Sequence, residues 1–359
     1  MENSKKLNSN LHSARMQKND EFYTQLADVE REMKHYKEHF ADKVVYCNCD
    51  DPYESNFFKY FALNFELLGL KKLIATCYAG SPIANKQLVL FDDESTENKT
   101  TKSPHKIEIT EIPQKFQKEA IGLEAIKLLL ASDKNHLTRL KEDGDFRSKE
   151  CIELLKEADI VVTNPPFSLF REYVSLLVEF DKKFLIIGDQ NAITYKEIFK
   201  FIKENKVWLG YDNGGTKWFQ VPDNYEIQTE SRIKIENGIK YFSKGSIMWY
   251  TNLDHTKRHE DLFLFRKYNP TDYPKYDNYD AIEVSKVVDI PVDYNGAMGV
   301  PITFIDKYNP AQFEILSSND IRKNDKVPFK EHGLIKDKDG TINGQATYAR
   351  VVIKKRQHI

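Results

Sequence analysis

Cysteine is scarce in this 359-residue chain: Cys47, Cys49, Cys77 and Cys151 are the full complement, and no two form a C-x-x-C pair. Neither a zinc ribbon nor a thioredoxin-like redox site is spelled by that spacing, so reduced thiols packed in a core are the expectation. Long apolar runs are missing too, and nothing approaches the roughly 20 residues a membrane span needs. The first twenty residues, MENSKKLNSNLHSARMQKND, lack the apolar segment of a secretory signal. The expectation is a cytoplasmic protein with a polar N-terminal arm and no membrane partner. A strong net charge is also absent. At −2 overall there is no general basic field, so a polyanion would have to meet local basic surface. His35 and His39 share a helix face at i, i+4 without a third ligand nearby, which points to a solvated face and to no metal.

What is present is ample material for one large or two modest cores, with 40% hydrophobic and 12% aromatic residues. From Lys43 to Asn205, strand-length apolar runs alternate with helix-period segments. KVVYCNC, KKLIATCYA, DIVVT, KKFLIIG and KVWLG read as strands. ESNFFKYFALNFELLG, which stops at Gly69, reads as a helix, as do SKECIELLKEA, SLFREYVSLLVEF and TYKEIFKFIKEN. Ser148, Ser168 and Thr194 stand where helix N-caps belong. This rhythm predicts an α/β fold, a doubly wound, mostly parallel sheet with helices on both faces. Such sheets bind ligands beyond the carboxyl ends of their strands, at a topological switch point. A polar excursion, Gly80 to Pro113, and the helix-like stretch after it read as an insertion over about 80–140. After Gly210 the texture turns to Gly/Asn turns and alternating strands, a β-rich C-terminal region.

At the end of the DIVVT strand lies Asn164-Pro165-Pro166-Phe167. Each proline fixes its own φ and donates no backbone hydrogen, and the residue before a proline is pushed away from the helical region. The result is a rigid, donor-poor turn. Transfer of a group to an exocyclic amine conjugated to a ring is hard because the nitrogen lone pair is delocalised into that ring. Two acceptors aimed at the two amine hydrogens, Asn164 Oδ1 and a neighbouring main-chain oxygen, would localise that pair and point it at an electrophile. Pro165 and Pro166 keep the turn stiff, and Phe167 can lie against a flat ring. This is orientation and preorganised electrostatics without a proton-abstracting base. The turn alone leaves the amine's owner open among DNA adenine, RNA adenine and protein glutamine.

The residues around it resemble one family. NDEFYTQ, KVVYCNCDDPYESNFFKYF, LKKLIATCY, GDFRS, DIVVTNPPFSLFREY, KKFLIIG, ITYKEIF, KVWLG, YPKYDNYDAIEV and GVPITF together look like the EcoRI-type adenine-specific DNA methyltransferases, in the family's order and over about nine-tenths of the chain. The resemblance implies a class I methyltransferase-like core and S-adenosyl-L-methionine as cofactor, with no metal. It implies transfer to N6 of an adenine flipped out of duplex DNA, as the modification half of a restriction–modification pair. It implies an N-terminal arm over 1–42, a core over 43–255 and a target-recognition region over 256–359. Asn164, Pro165, Pro166 and Phe167 match the catalytic turn. Asp145 and Phe146 in GDF match the site that meets the cofactor's adenine. Phe22, Tyr23 and Thr24 match the segment holding its methionine end, and Asp50, Asp51, Ser55 and Asn56 fall in the first-strand loop. That loop lacks the glycine-rich turn of the broader superfamily, a departure the EcoRI-type group shares. A monomer is expected, with any cognate endonuclease acting on the same site without a stable complex.

A base inside a duplex cannot reach a buried turn, so flipping demands backbone clamps. Ser231 to Lys267 carry eight Lys/Arg against four Asp/Glu, and residues 320–359 carry ten against five. Arg232, Lys240, Lys244, Lys257, Arg258, Lys354, Lys355 and Arg356 are therefore the candidate phosphate contacts. A DNA-binding module without catalysis is the reading from another class, and the intact turn and Asp145 weigh against it.

Overall fold

The computed structural model describes residues 23–49, 55–77, 104–114, 116, 122–221, 232–243, 245, 247–317, 321, 323, 334–336 and 338–357. The chain divides into two compact units, one made of 1–190 with 212–253 and the other of 191–211 with 254–359. These units cut the chain differently from the boundaries read from sequence, because residues 191–211 leave the first unit before 212–253 return to it.

In the first unit the chain runs through β1 (Tyr23–Thr24), α1 (Leu26–Met33), β2 (Val44–Cys47), α2 (Asn56–Leu63), α3 (Phe65–Leu68) and β3 (Lys72–Thr76). It continues through β4 (His105–Ile109), α4 (Gly122–Leu129), β5 (His136–Arg139), α5 (Lys149–Glu157), β6 (Ile160–Thr163), α6 (Phe170–Glu179) and β7 (Lys183–Asp189). It passes into the second unit for α7 (Lys196–Lys203) and β8 (Trp208–Leu209). It then returns with β9 (Phe219–Gln220), β10 (Ile233–Glu236), β11 (Ile239–Phe242) and β12 (Ile247–Thr251).

Within the first unit the large sheet has the order β5-β4-β3-β2-β6-β7-β12. The pairs β2–β3, β2–β6 and β6–β7 are parallel, while β3–β4, β4–β5 and β7–β12 are antiparallel. The sheet is thus mostly parallel and mixed at its edges. Its central strands are buried along their whole length, VVYC in β2 and IVVT in β6, which is why they read as unbroken apolar runs and not as alternation. The chain goes from β2 to β3 on one side and later comes back to β6 on the other, so β2 is where the strand order reverses. A second sheet, β1-β9-β11-β10, binds the N-terminal strand in antiparallel register, Thr24 opposite Phe219 and Tyr23 opposite Gln220. One aromatic-rich cluster, including Phe57, Phe61, Phe167, Phe219 and Trp249, fills the core.

Of the three expected helix caps, only Ser148 acts as one, its hydroxyl accepting from Cys151 N at 3.3 Å. Ser168 does not cap α6. Pro166 holds an extended ψ of 123°, so the chain first makes a short turn over Phe167–Leu169, and Leu169 takes the cap position. Thr194 lies one residue early, and its hydroxyl donates to Asn191 O at 2.7 Å while Tyr195 precedes α7. The expected helix through Gly69 is interrupted at Asn64 and closes on Gly69, whose φ of 63° is the left-handed conformation a helix end favours.

The second unit is β-rich. It holds β13 (Ile282–Glu283), β14 (Met298–Pro301), β15 (Phe313–Ile315), β16 (Leu334–Ile335), a small hairpin of β17 (Thr341–Ile342) and β18 (Gln345–Ala346), and β19 (Arg350–Lys355). The long β19 pairs antiparallel with β14, β15 and β16. Tyr276, Tyr279, Ala281, Ile335 and Val352 pack as a separate small core. Tyr276 donates to Glu283, and Arg350 grips the same carboxylate through Nε at 2.9 Å. No helix of the described residues is long and apolar enough to cross a membrane.

Candidate functional site

The carboxyl ends of β2, β3 and β6 converge in a buried polar knot. Thr163, the last residue of β6, donates its hydroxyl to Asn48 O just beyond β2. Thr76, the last residue of β3, donates to Asn48 Oδ1 at 3.1 Å and shares a 3.0 Å contact with Tyr46 OH. Asn48, Thr76 and Thr163 are all buried. A buried hydroxyl without a partner is destabilising, so these bonds fix the three strand ends relative to one another. Cys151, at the start of α5, joins the knot through Tyr46, Thr76 and Ser148. Burial pushes its thiol up from the ordinary cysteine range, the state of a packed and unreactive sulfur.

Asn164 follows Thr163 directly, so the catalytic-turn candidate starts from this anchored point. Asn164 and Pro166 are half-buried, and Pro165 is buried. Phe167 retains 8% of its surface and belongs to the core cluster. Its ring is therefore largely committed to packing, and only a small edge remains for a base. Behind the turn, Phe170 packs edge-on against Tyr250 at 4.9 Å. Both rings lie against Gly188, where an added Cβ would come within 2.5 Å of Phe170 and 3.0 Å of Tyr250. The glycine of KKFLIIGD thus makes room for the ring that begins α6.

The structure places Thr24, Ser55 and Asn56 together. Asn56 Nδ2 donates to Thr24 O at 2.7 Å, tying the N-terminal strand to the start of α2. Ser55 caps α2, its hydroxyl accepting from Phe57 N at 3.1 Å and Phe58 N at 3.2 Å. Thr24 is 3% exposed, and its Oγ1 has no partner among the described residues. An orphaned buried hydroxyl beside a helix N-terminus suits a ligand that accepts or donates there. Tyr23 lies in β1. Phe22, Asp50, Asp51 and Lys244 fall outside the described residues.

Asp145 sits in the loop between β5 and α5 and is engaged by its neighbour. Arg147 donates to it through Nε at 2.8 Å and Nη2 at 2.7 Å, and Arg147 N donates at 2.9 Å. Arg147 also reaches Glu172 at 3.1 Å, and its hydrogen bonds to Asp145 hold the guanidinium further above its ordinary pKa. The carboxylate is oriented by this fork. Phe146 is buried and packs edge-on against Tyr173 at 5.0 Å.

The basic candidates divide. Arg232 is exposed and Lys240 half-exposed at the β10–β11 hairpin. Lys257 donates to Tyr211 O at 2.9 Å and to Asp306 at 2.8 Å. The guanidinium of Arg258 stacks 3.7 Å from the Trp208 ring centroid, with 11% side-chain exposure. Lys355 donates to Val292 O and Arg356 to Pro310 O, while Lys354 is exposed. Lys257 and Arg258 are thus engaged within their own unit, as are Lys355 and Arg356 through main-chain oxygens, whereas Arg232 in the first unit and Lys354 in the second are exposed.

Among the participants not picked out by sequence are Asn48, Gly188 and Arg147. Arg147 had a signal, a cation two residues after Asp145. Asn48 and Gly188 had none, since their partners are distant in the chain. Among the described residues no three metal-ligating side chains cluster.

The model of the family described as adenine-specific methyltransferase EcoRI matches residues 10–356 of the chain. The chain is 50% identical over 354 residues to the Type II methyltransferase M.EcoRI of Escherichia coli, covering 98% of this chain and 97% of that protein. It is 39% identical over 355 residues to the Type II methyltransferase M.MgeORF184P of Mycoplasma genitalium, covering 96% and 98%. It is 36% identical over 357 residues to the Type II methyltransferase M.MpnI of Mycoplasma pneumoniae, again covering 96% and 98%. No solved structure matches the chain significantly.

Proposed function

The chain belongs to the adenine-specific EcoRI methyltransferase family, and from that premise we propose that it methylates N6 of an adenine flipped out of duplex DNA, as the modification enzyme of a restriction–modification system. The observation that carries the reading is the Asn164–Phe167 turn, anchored through Thr163 and Asn48 at the point where the sheet's strand order reverses. That placement supports a doubly wound, class I-like core.

S-adenosyl-L-methionine, when bound, supplies an electrophilic methyl group. The residues present fit it. Thr24 Oγ1, buried and without a partner among the described residues, would hold the methionine end together with the Asn56-tethered strand. Asp145, oriented by Arg147, would accept from the cofactor's adenine amine, with Phe146 beside it. Asp50 and Asp51 complete the loop on the resemblance alone. Asn164 Oδ1 and a main-chain oxygen of the turn accept the two hydrogens of the target amine, and Pro165 and Pro166 hold those acceptors still. The amine nitrogen then presents a localised lone pair, and after transfer the methylated amine sheds its extra proton to solvent water. Arg232, Lys240, Lys354, Lys355 and Arg356 take phosphates, with the second unit as the target-recognition region. The protein acts as a monomer in the cytoplasm, without a stable complex with a cognate endonuclease.

The test is transfer of a labelled methyl group to host DNA, with modification-detecting sequencing to give the motif. Asn164→Ala should lower kcat by about 10²–10³, the size expected for removing one preorganised polar group, with cofactor affinity intact. Near-normal turnover of that variant would remove the mechanism.

A further inference from the structure

The second unit exposes two phenylalanines in a way that its packing does not explain. Phe263 and Phe265 are 84% and 56% exposed. Their rings stack 6.3 Å apart at an interplanar angle of 25°. Exposure alternates along the segment: Leu262 and Leu264 are half-buried while Phe263 and Phe265 point outward. This is the period of an extended ribbon, with two apolar residues in and two out.

The ribbon is held at both ends. Leu262 N donates to Gln312 Oε1 and Gln312 Nε2 donates back to Leu262 O, each at 2.8 Å. Asn309 Nδ2 donates to Asp261 at 2.9 Å. Farther along, Val292 N donates to Arg266 O at 2.8 Å, and Arg266 bridges to Pro291. The outward rings are therefore presented by fixed backbone. Arg266 stands 5.3 Å from the centroid of Phe265, and Arg266 and Lys267 are both exposed. Asp289 lies 3.3 Å from Arg266, and Glu260 and Asp261 are at the opposite end of the ribbon.

Exposed aromatic patches mark interaction surfaces. Flat rings followed at once by cations complement a partner with flat apolar faces and a regular row of anions, which describes duplex DNA. We propose that residues 261–267 form a DNA-contacting wedge. Phe263 and Phe265 pack against bases or sugars in a groove, and Arg266 and Lys267 meet the flanking phosphates. The proposal rests on the DNA methyltransferase reading and adds a contact that the charge pattern alone did not single out.

The experiment compares the full-length wild type, F263A/F265A and Arg266→Ala on a duplex oligonucleotide carrying the methylated motif. A parallel series carries 2-aminopurine at successive positions. Both phenylalanines are solvent-facing, so the double variant should keep its thermal midpoint and its affinity for a cofactor analogue. Its affinity for the duplex should fall by about 5- to 100-fold, the range of lost aromatic stacking, with an altered 2-aminopurine signal at a discrete step. Its salt dependence should be unchanged, whereas Arg266→Ala should reduce the slope of log affinity against log salt by about one. An active wild type whose double variant binds DNA equally well would overturn the proposal. So would a wild-type dimer that disperses in the double variant, since the ribbon would then join two copies. A wild type that neither binds nor methylates DNA would remove the underlying reading, and the wedge with it.

Discussion

The carboxyl edge of the first unit's sheet and the ribbon of the second unit are built by opposite rules. At the edge, polar atoms are buried and bonded to one another: Asn48, Thr76, Thr163 and Tyr46 form a closed set. On the ribbon, apolar rings face solvent and the backbone takes the bonds. The first arrangement ties the strand ends to one another, which suits amine alkylation because its catalysis is orientation. The second offers a surface that is complete only with something against it. Under the proposed function, the chemistry falls where the protein satisfies itself and the recognition where it does not.

The largest effect that would break this contrast lies at the cofactor residues, where the edge leaves gaps. Asp145→Ala removes an acceptor with charge, and S-adenosyl-L-methionine affinity should fall about 10- to 100-fold, matching the ~1.5–3 kcal/mol of a hydrogen bond to an ion. Thr24→Val keeps the shape and removes only the orphaned hydroxyl, so a loss of about 3- to 10-fold is expected. Isothermal titration with the cofactor reads both. If Thr24→Val binds as well as wild type, the orphan is a packing accident and not a ligand contact.

Next in size is the support of the turn. Gly188→Ala would drive a Cβ into Phe170, and overpacking of this kind costs about 1–3 kcal/mol. The thermal midpoint and kcat should fall together, because Phe170 opens the helix that follows Asn164–Phe167. Adding Phe170→Leu should restore part of both. Rescue of stability without kcat would mean that the turn does not depend on α6.

How much of this was legible depended on how local the physics was. The strand–helix rhythm and the Asn-Pro-Pro-Phe turn are short-range patterns, and the resemblance joined them into an expected site. Gly188 was opaque because its reason is Phe170, in another element. Ser168 and Thr194 looked like caps because composition near a helix start is suggestive, but Pro166 delayed one helix and a short turn displaced the other. The charges of Lys257 and Arg258 are visible in sequence, while Asp306 and the Trp208 ring that engage them are not. Phe263 and Phe265 would pass as core residues in any hydrophobicity pattern.

The smallest expected effect sharpens the contrast from the second unit's side, where His255 is among the polar groups buried as at the edge. His255 is 7% exposed, and its ring lies 3.0 Å from Leu209 O. Burial pushes its pKa down from 6.5 to about 4, with nearby Lys257 acting in the same direction and the Leu209 carbonyl opposing it. The folded ring therefore stays neutral over a range in which the unfolded one takes a proton. Its contribution to stability is fully present above about pH 6.5, declines as pH falls from there towards 4, and levels off below. Thermal midpoints between pH 7.5 and 4.5 should show a decline that is shallower in His255→Gln, whose amide can still donate to Leu209 O. Equal slopes in the two proteins would assign the decline to other groups and leave His255 a purely structural donor.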